Sequence, residues 1–274
     1  MTNLDTAKIS LPRIGLGTFR LKGREATAMV ERALAEGYRH IDTARMYGNE
    51  ADIGAGLANS AVPAHDVVVT TKVWPDDFRR RDFLRAVDAS LANLRKDAID
   101  LLLLHWPSRT VPIAETMDAM AAVVRAGKVR HAGLSNFTRA LFTEAEQHSA
   151  VPLCANQVEY HPFLDQRRMC AFLAERDAAL IAYAPLAQGK VAGHPTITAI
   201  ADAHGATESQ IALAWILQGS NTAAIPKTAN PDRLAQNLAA AEIALTAEET
   251  AAITALAEPD GRMFDFAGLS PEWD

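Results

Sequence analysis

The chain has 274 residues, with 27 Lys and Arg against 33 Asp and Glu, a formal net charge of −6. At 49% hydrophobic and 22% charged it sits near the globular average, which excludes long disorder, collagen-like repeats and coiled coils. No apolar run reaches the ~18 residues of a membrane span, and Met1–Ser10 lacks the basic-then-apolar build of a secretory leader, so a cytoplasmic protein is expected.

Strand-like runs fall at Arg13–Thr18, Tyr38–Asp42, Val67–Lys72, Ile99–His105, Val129–Ser135, Ala155–Glu159, Ala179–Tyr183 and Thr222–Ile225. Helical periodicity falls at Glu25–Glu36, Glu50–Asn59, Arg80–Leu94, Ile113–Ala126, Arg139–His148, Gln166–Asp177, Ile197–His204 and Asp232–Ala240. Two more helices, Glu208–Gln218 and Ala247–Leu256, exceed the repeat. Thr207 and Thr246 read as N-caps, Gly37 and Gly127 as C-terminal stops, and Pro112 as a first-turn proline. Strands written Val-Val-Val-Thr-Thr or Leu-Leu-Leu-Leu are apolar throughout, the mark of a parallel sheet covered on both faces.

No Ser/Gly/Pro-rich linker interrupts these units, so residues 1–274 are expected to form a single domain. Eight β-then-α units predict an α/β fold, the (β/α)8 TIM barrel, with two extra helices and a short C-terminal tail. An open doubly wound sheet is the alternative. Gly15-Leu16-Gly17 supplies two glycines of a dinucleotide fingerprint, but Arg20 holds the third position. Cys154 and Cys170 are too few for a disulfide framework and read as free thiols. An acidic balance whose longest basic run is Arg79-Arg80-Arg81 gives no footprint for nucleic acid. Nothing marks a dimer surface, and a monomer is expected.

In a barrel the working face is the C-terminal end of the strands. There the sequence places Asp42 with Tyr47 just beyond it, Lys72, His105, Ser135-Asn136, Gln157 and Glu159, Tyr183, and Lys227 after the last strand. Burying Asp, Lys and His on adjacent strands is costly unless they pair, so the cluster is a site candidate. A tyrosine beside a buried lysine is a proton donor whose pKa the ammonium lowers; the carboxylate keeps the lysine charged. A neutral imidazole opposite can orient a substrate oxygen. That set suits protonation of a carbonyl oxygen while hydride reaches the carbon.

With these residues in hand, the chain resembles the aldo-keto reductase family over nearly its whole length. Gly37-Tyr-Arg-His-Ile-Asp-Thr-Ala-Arg-Met-Tyr-Gly-Asn-Glu50, continuing to Gly54, is similar to the family's first signature. Thr70-Thr-Lys-Val-Trp74 and Leu101-Leu-Leu-Leu-His-Trp-Pro107 are similar to its lysine and histidine segments. Gly133-Leu-Ser-Asn-Phe137, Asn156-Gln157 and Tyr183-Ala-Pro-Leu186 are similar to its nicotinamide-side segments, and Ile225-Pro-Lys-Thr228 with Arg233 and Asn237 to its phosphate and adenine segment. The resemblance implies Tyr47 as general acid, Lys72 as its pKa-lowering partner, Asp42 as the partner of Lys72, and His105 as substrate orienter. It implies NADPH as cofactor, with Ser135, Asn136 and Gln157 on the carboxamide, Tyr183 stacked on the ring, Leu186 nearby, and Lys227, Thr228, Arg233 and Asn237 around phosphate and adenine.

Phe19, Trp74 and Trp106 are expected to wall a substrate pocket, with residues of the tail from Met263-Phe-Asp-Phe266 through Trp273. The closing Gly268-Leu-Ser-Pro-Glu-Trp-Asp274 resembles the short tail of the small 2,5-diketo-D-gluconate and methylglyoxal reductase branch. A short tail implies an open mouth and small aldehydes and ketones as substrates. Two other readings compete. A metal hydrolase built on His105, Asp42 and His161 would need a His-x-His pair, which none of the eight histidines forms, so no metal is expected. A non-catalytic nucleotide sensor could have lost Tyr47, Lys72 and His105, all of which are present.

Overall fold

The computed structural model describes residues 3–274, so the first two residues of the Met1–Ser10 stretch lie outside the described residues. Two three-residue strands that carry no readable period, β1 (Asn3–Asp5) and β2 (Ser10–Pro12), pair antiparallel. They put Leu4, Ile9 and Leu11 against Leu101, Leu103, Ala155 and Ile181 inside the sheet. Lys8 donates to the carbonyls of Leu153 and Arg176, at the starts of two strands, so this hairpin plugs the end opposite the functional rim.

The eight predicted strands are all present: β3 (Leu16–Gly17), β4 (His40–Asp42), β5 (Val68–Val73), β6 (Ile99–Leu104), β7 (Val129–Ser135), β8 (Leu153–Glu159), β9 (Ala179–Tyr183) and β10 (Thr222–Ala224). They pair in chain order, every pairing parallel. The ring closes through Gly15 N–H to the Ala224 carbonyl at 2.9 Å, Ala224 N–H to the Arg13 carbonyl at 2.8 Å, and Gly17 N–H to the Pro226 carbonyl at 3.1 Å. Gly17 is required at this seam, because a Cβ there would stand 2.6 Å from the Ile225 carbonyl oxygen. The architecture is the expected TIM barrel.

Helices α1 (Gly23–Ala35), α2 (Glu50–Asn59), α3 (Arg80–Leu94), α4 (Ile113–Arg125), α5 (Arg139–His148), α6 (Arg167–Ala174), α7 (Pro195–His204), α8 (Glu208–Ile216), α9 (Asp232–Ala239) and α10 (Ala247–Thr254) complete the chain. Their apolar stripes, such as Met29, Val30, Ala33 and Leu34 of α1, join the second face of the strands in one continuous core. Thr207 and Thr246 each form a full capping box, with Gln210 and Glu249. Gly37 at φ 109° and Gly127 at φ 72° end their helices in backbone that favours glycine. Pro112 corrects the reading: it stands one place before α4, with extended ψ 137°, rather than in the first turn. Thr138, not foreseen, caps α5 by accepting from Leu141 N–H. Both cysteines are free thiols.

Candidate active site

Because the strands are parallel, their C-terminal ends open on one rim, and the polar residues picked from the sequence meet there. Asp42 ends β4, Lys72 lies in β5, and both side chains are almost wholly removed from solvent. The Lys72 ammonium donates to Asp42 Oδ1 at 2.5 Å and to the Thr43 carbonyl at 2.9 Å, and reaches the Tyr47 hydroxyl at 3.5 Å. Tyr47 arrives on the short turn Arg45–Tyr47. The other carboxylate oxygen of Asp42 accepts from Gln157 Nε2 of β8 at 2.6 Å. Four chain segments thus converge on one buried charge pair.

Burial pushes the Asp42 carboxyl up and the Lys72 ammonium down, while their mutual attraction pulls each back toward its charged form. Burial first, then the charge of Lys72, holds His105 well below its ordinary value, so the imidazole is neutral. Its Nδ1 has no partner among the described residues. The expectation for Tyr47 is corrected. Burial first, then the Asp42 charge, holds its phenol well above the usual range, and no lowering by Lys72 shows. Tyr47 is therefore a protonated phenol.

Ser135, Asn136, Gln157 and Tyr183 form a second, continuous network. Asn136 Nδ2 donates to the His105 carbonyl at 2.9 Å and to Ser135 Oγ at 3.2 Å, and its Oδ1 accepts from the Tyr183 hydroxyl at 2.8 Å. Ser135 donates onward to the Gln157 carbonyl. With the Gln157 amide donating to Asp42 and the Asn136 amide also to His105, the donors of this set are engaged within the protein, and acceptor capacity remains on Asn136 Oδ1 and on Gln157 Oε1. Asn136 sits at φ 63°, a left-handed conformation that asparagine tolerates. Leu186 is half-buried against the core just before the turn Ala187–Gly189.

Lys227 and Arg233 are exposed beyond β10, and neither enters an ion pair among the described residues. Thr228 is buried and braces the turn, exchanging hydrogen bonds with the backbone of Asn230. Asn237 is less open than Lys227 and Arg233. It is buried on α9, three residues after Leu234, whose carbonyl accepts from the Tyr38 hydroxyl at 3.1 Å.

Around the mouth, Phe19 meets Tyr47 with ring centres 5.0 Å apart, and Trp74 stands edge-on to His105 at 5.1 Å. Trp106 is buried, with Phe266 at 5.8 Å and Trp273 at 6.1 Å. Phe266 and Trp273 of the tail lie along that side of the rim. Sequence reasoning missed the contact between Gln157 and Asp42, which spans 115 positions with no local pattern. It named Glu159 on the rim and His161 for a metal site, but not that the two pair at 3.0 Å.

The comparisons agree with this geometry. The model of the Aldo/keto reductase family matches residues 13–258. Methylglyoxal reductase DkgB of Escherichia coli O157:H7 is 38% identical over 269 residues, covering 97% of this chain and all of that one. A crystal structure whose protein carries the provisional name 2,5-diketo-D-gluconic acid reductase B superimposes with a TM-score of 0.94 at 46% identity, over 96% of this chain and 94% of the other. A Gox0644 variant solved in complex with NADPH gives a TM-score of 0.89 at 33% identity, over 96% of each. A family match across nearly the whole barrel, joined to a buried Asp–Lys pair with a half-buried tyrosine in reach and a neutral histidine beside it, places this chain in the aldo-keto reductase family of carbonyl-reducing oxidoreductases.

Proposed function

We propose that residues 1–274 work as one reductase domain that converts small aldehydes and ketones, methylglyoxal, 2,5-diketogluconate and aromatic aldehydes among them, to alcohols with NADPH. The observation that carries this reading is the buried Lys72, bound to Asp42 and within reach of a protonated Tyr47 that faces a neutral His105. The NADPH-bound Gox0644 variant and the reductase names of the relatives support the cofactor and the substrate class. The residues fit the cofactor. Gln157 Oε1 and Asn136 Oδ1 keep the acceptor capacity that a carboxamide NH2 needs, Tyr183 offers a ring held by its hydroxyl, and Lys227 and Arg233, with Thr228 between them, are cations suited to a phosphate.

When bound, the nicotinamide supplies hydride to the carbonyl carbon. Tyr47 gives its proton to the carbonyl oxygen as charge develops there, and the Lys72 ammonium, 3.5 Å away, stabilises the phenolate left behind. Asp42 holds that ammonium in place. His105, kept neutral, hydrogen-bonds the same oxygen and orients it without adding a charge. Phe19, Trp74 and Trp106 exclude water and contact the substrate's carbon frame. No helix among the described residues is long and apolar enough to cross a membrane, and we place the enzyme in the cytoplasm as a monomer.

The test is loss of NADPH absorbance with methylglyoxal, 2,5-diketogluconate and an aromatic aldehyde, run beside NADH. Tyr47→Phe lowers turnover by roughly 10²-fold or more while NADPH binding stays as in the wild type. Lys227→Ala weakens NADPH far more than NADH. Tight NADPH binding without turnover by the wild type would point instead to a nucleotide sensor.

A further inference from the structure

We propose that Glu159 is a positioning residue: its side chain clamps the start of the C-terminal tail and so sets the aromatic wall on the substrate side of the rim. Only the kinetic part of this inference rests on the reductase reading.

Glu159 closes β8 and is wholly buried. A buried carboxyl group is tolerated only where its oxygens find donors. Here Oε1 accepts from the Met263 N–H at 2.8 Å and Oε2 from the Phe264 N–H at 3.0 Å. His161 completes the set. Its Nδ1 accepts from the Phe163 N–H, which leaves Nε2 to carry the hydrogen and donate it to Glu159 Oε1 at 3.0 Å. The Arg262 guanidinium stands 3.9 Å from Oε2, beyond hydrogen-bond reach. The direct partners of this side chain are thus one histidine and two consecutive amides of a segment outside any helix or strand.

What those amides fix follows from where the chain goes next. Glu159 is the register neighbour of Tyr183, and the Phe264 ring lies edge-on to Tyr183 at 5.5 Å. Phe264 meets Phe266 at 6.3 Å, Phe266 meets Trp106, and Trp273 returns to Trp106 under the Arg262 guanidinium, 3.6 Å from its ring centre. Just before the clamp, Gly261 passes so close to the Phe163 carbonyl that a Cβ would lie 1.7 Å from its oxygen. Two further ties, Arg109 to the Ser270 carbonyl and Arg139 to Asp274, involve partly exposed groups and hold the tail weakly. Glu159 makes the buried tie, and it stands on the same strand as Gln157.

Glu159→Gln keeps the volume but turns one acceptor oxygen into an NH2 facing a donor, which orphans a tail N–H or the His161 N–H. Hydrogen exchange read residue by residue then shows the Met263 and Phe264 amides and the segment to Trp273 opening on the order of tenfold faster, with the β8 amides unchanged. KM for the carbonyl substrate rises on the order of tenfold, while kcat and NADPH affinity change less than about twofold. Deletion of residues 265–274 gives the same KM rise, and adding Glu159→Gln to the deletion raises it no further. Met263→Pro, which removes one N–H together with a half-buried side chain of the tail, reproduces the effect should Glu159→Gln fail to fold. Wild-type tail exchange in Glu159→Gln or Met263→Pro, or additive KM effects with the deletion, overturns the clamp. Absence of turnover in the wild type overturns the reductase reading alone, since the exchange result still decides the clamp.

Discussion

A lysine ammonium and a carboxylate, both nearly dry, face each other at 2.5 Å inside the barrel, and neither is comfortable alone. Removing one leaves the other uncompensated, so Lys72→Met should cost about 3–5 kcal/mol of folding stability. Lys72→Met combined with Asp42→Leu should cost less than Lys72→Met alone, because the pair leaves together. Urea unfolding of the wild type and the two variants decides it: a double variant no more stable than Lys72→Met would overturn the coupling. The residue types of the site were legible, since Asp42, Lys72, His105, Gln157 and Tyr183 all stand where parallel strands end. Their partners were not. Whether Gln157 turns its amide to Asp42, or the Tyr38 hydroxyl reaches the Leu234 carbonyl, depends on packing that no local pattern records. The direction of the Tyr47 shift was lost for the same reason.

Among the elements, the segment after β9 is under backbone strain. Ala184 at φ 48°, Ala187 at φ 48° and Gln188 at φ 53° are three non-glycine residues in left-handed backbone within five positions of Tyr183. Each costs on the order of 1 kcal/mol, and such strain gathers at functional sites. Ala184→Gly should raise stability by about 0.5–1 kcal/mol in thermal or urea unfolding, and a loss of stability would show that the neighbouring packing prefers the methyl group. Elements with strong period or apolar runs were readable from the chain, α3 and β6 among the clearest. The N-terminal hairpin was not, because three residues are too few to show alternation. Helix α6 ends at Ala174, short of the expected Asp177, where the chain turns left-handed at φ 53°.

At the scale of the molecule, several buried groups titrate far from their ordinary values, and together they bound stability on both sides. His40 is lowered to about 3 and His105 well below normal, both by burial first and the Lys72 charge second. Below about pH 6.5 the unfolded chain takes up protons that the native one refuses, so stability falls as pH falls, by about 1.4 kcal/mol per pH unit for each histidine. Burial raises Cys154 and Cys170 to about 12 and lifts Tyr38 and Tyr160 higher still. Above about pH 9 the unfolded chain releases protons that the native one keeps, and stability falls again. Urea midpoints at pH 5, 7 and 10 should trace a dome, and a flat or monotonic profile would contradict these assignments. The seam of the barrel bears on something else, the order in which the molecule can come into being. Arg13 clasps the carbonyls of Leu217, Gly219 and Thr222, the last of them 209 positions away. A ribosome therefore delivers seven strands before the eighth that can join the first, and until then the sheet is an open ribbon with two unpaired edges. The rim that gathers Asp42, Lys72, His105 and Tyr183 acquires a closed frame only after Ala224 emerges, so a nascent chain cut short of that point ends as an edge looking for a partner rather than as a partial enzyme.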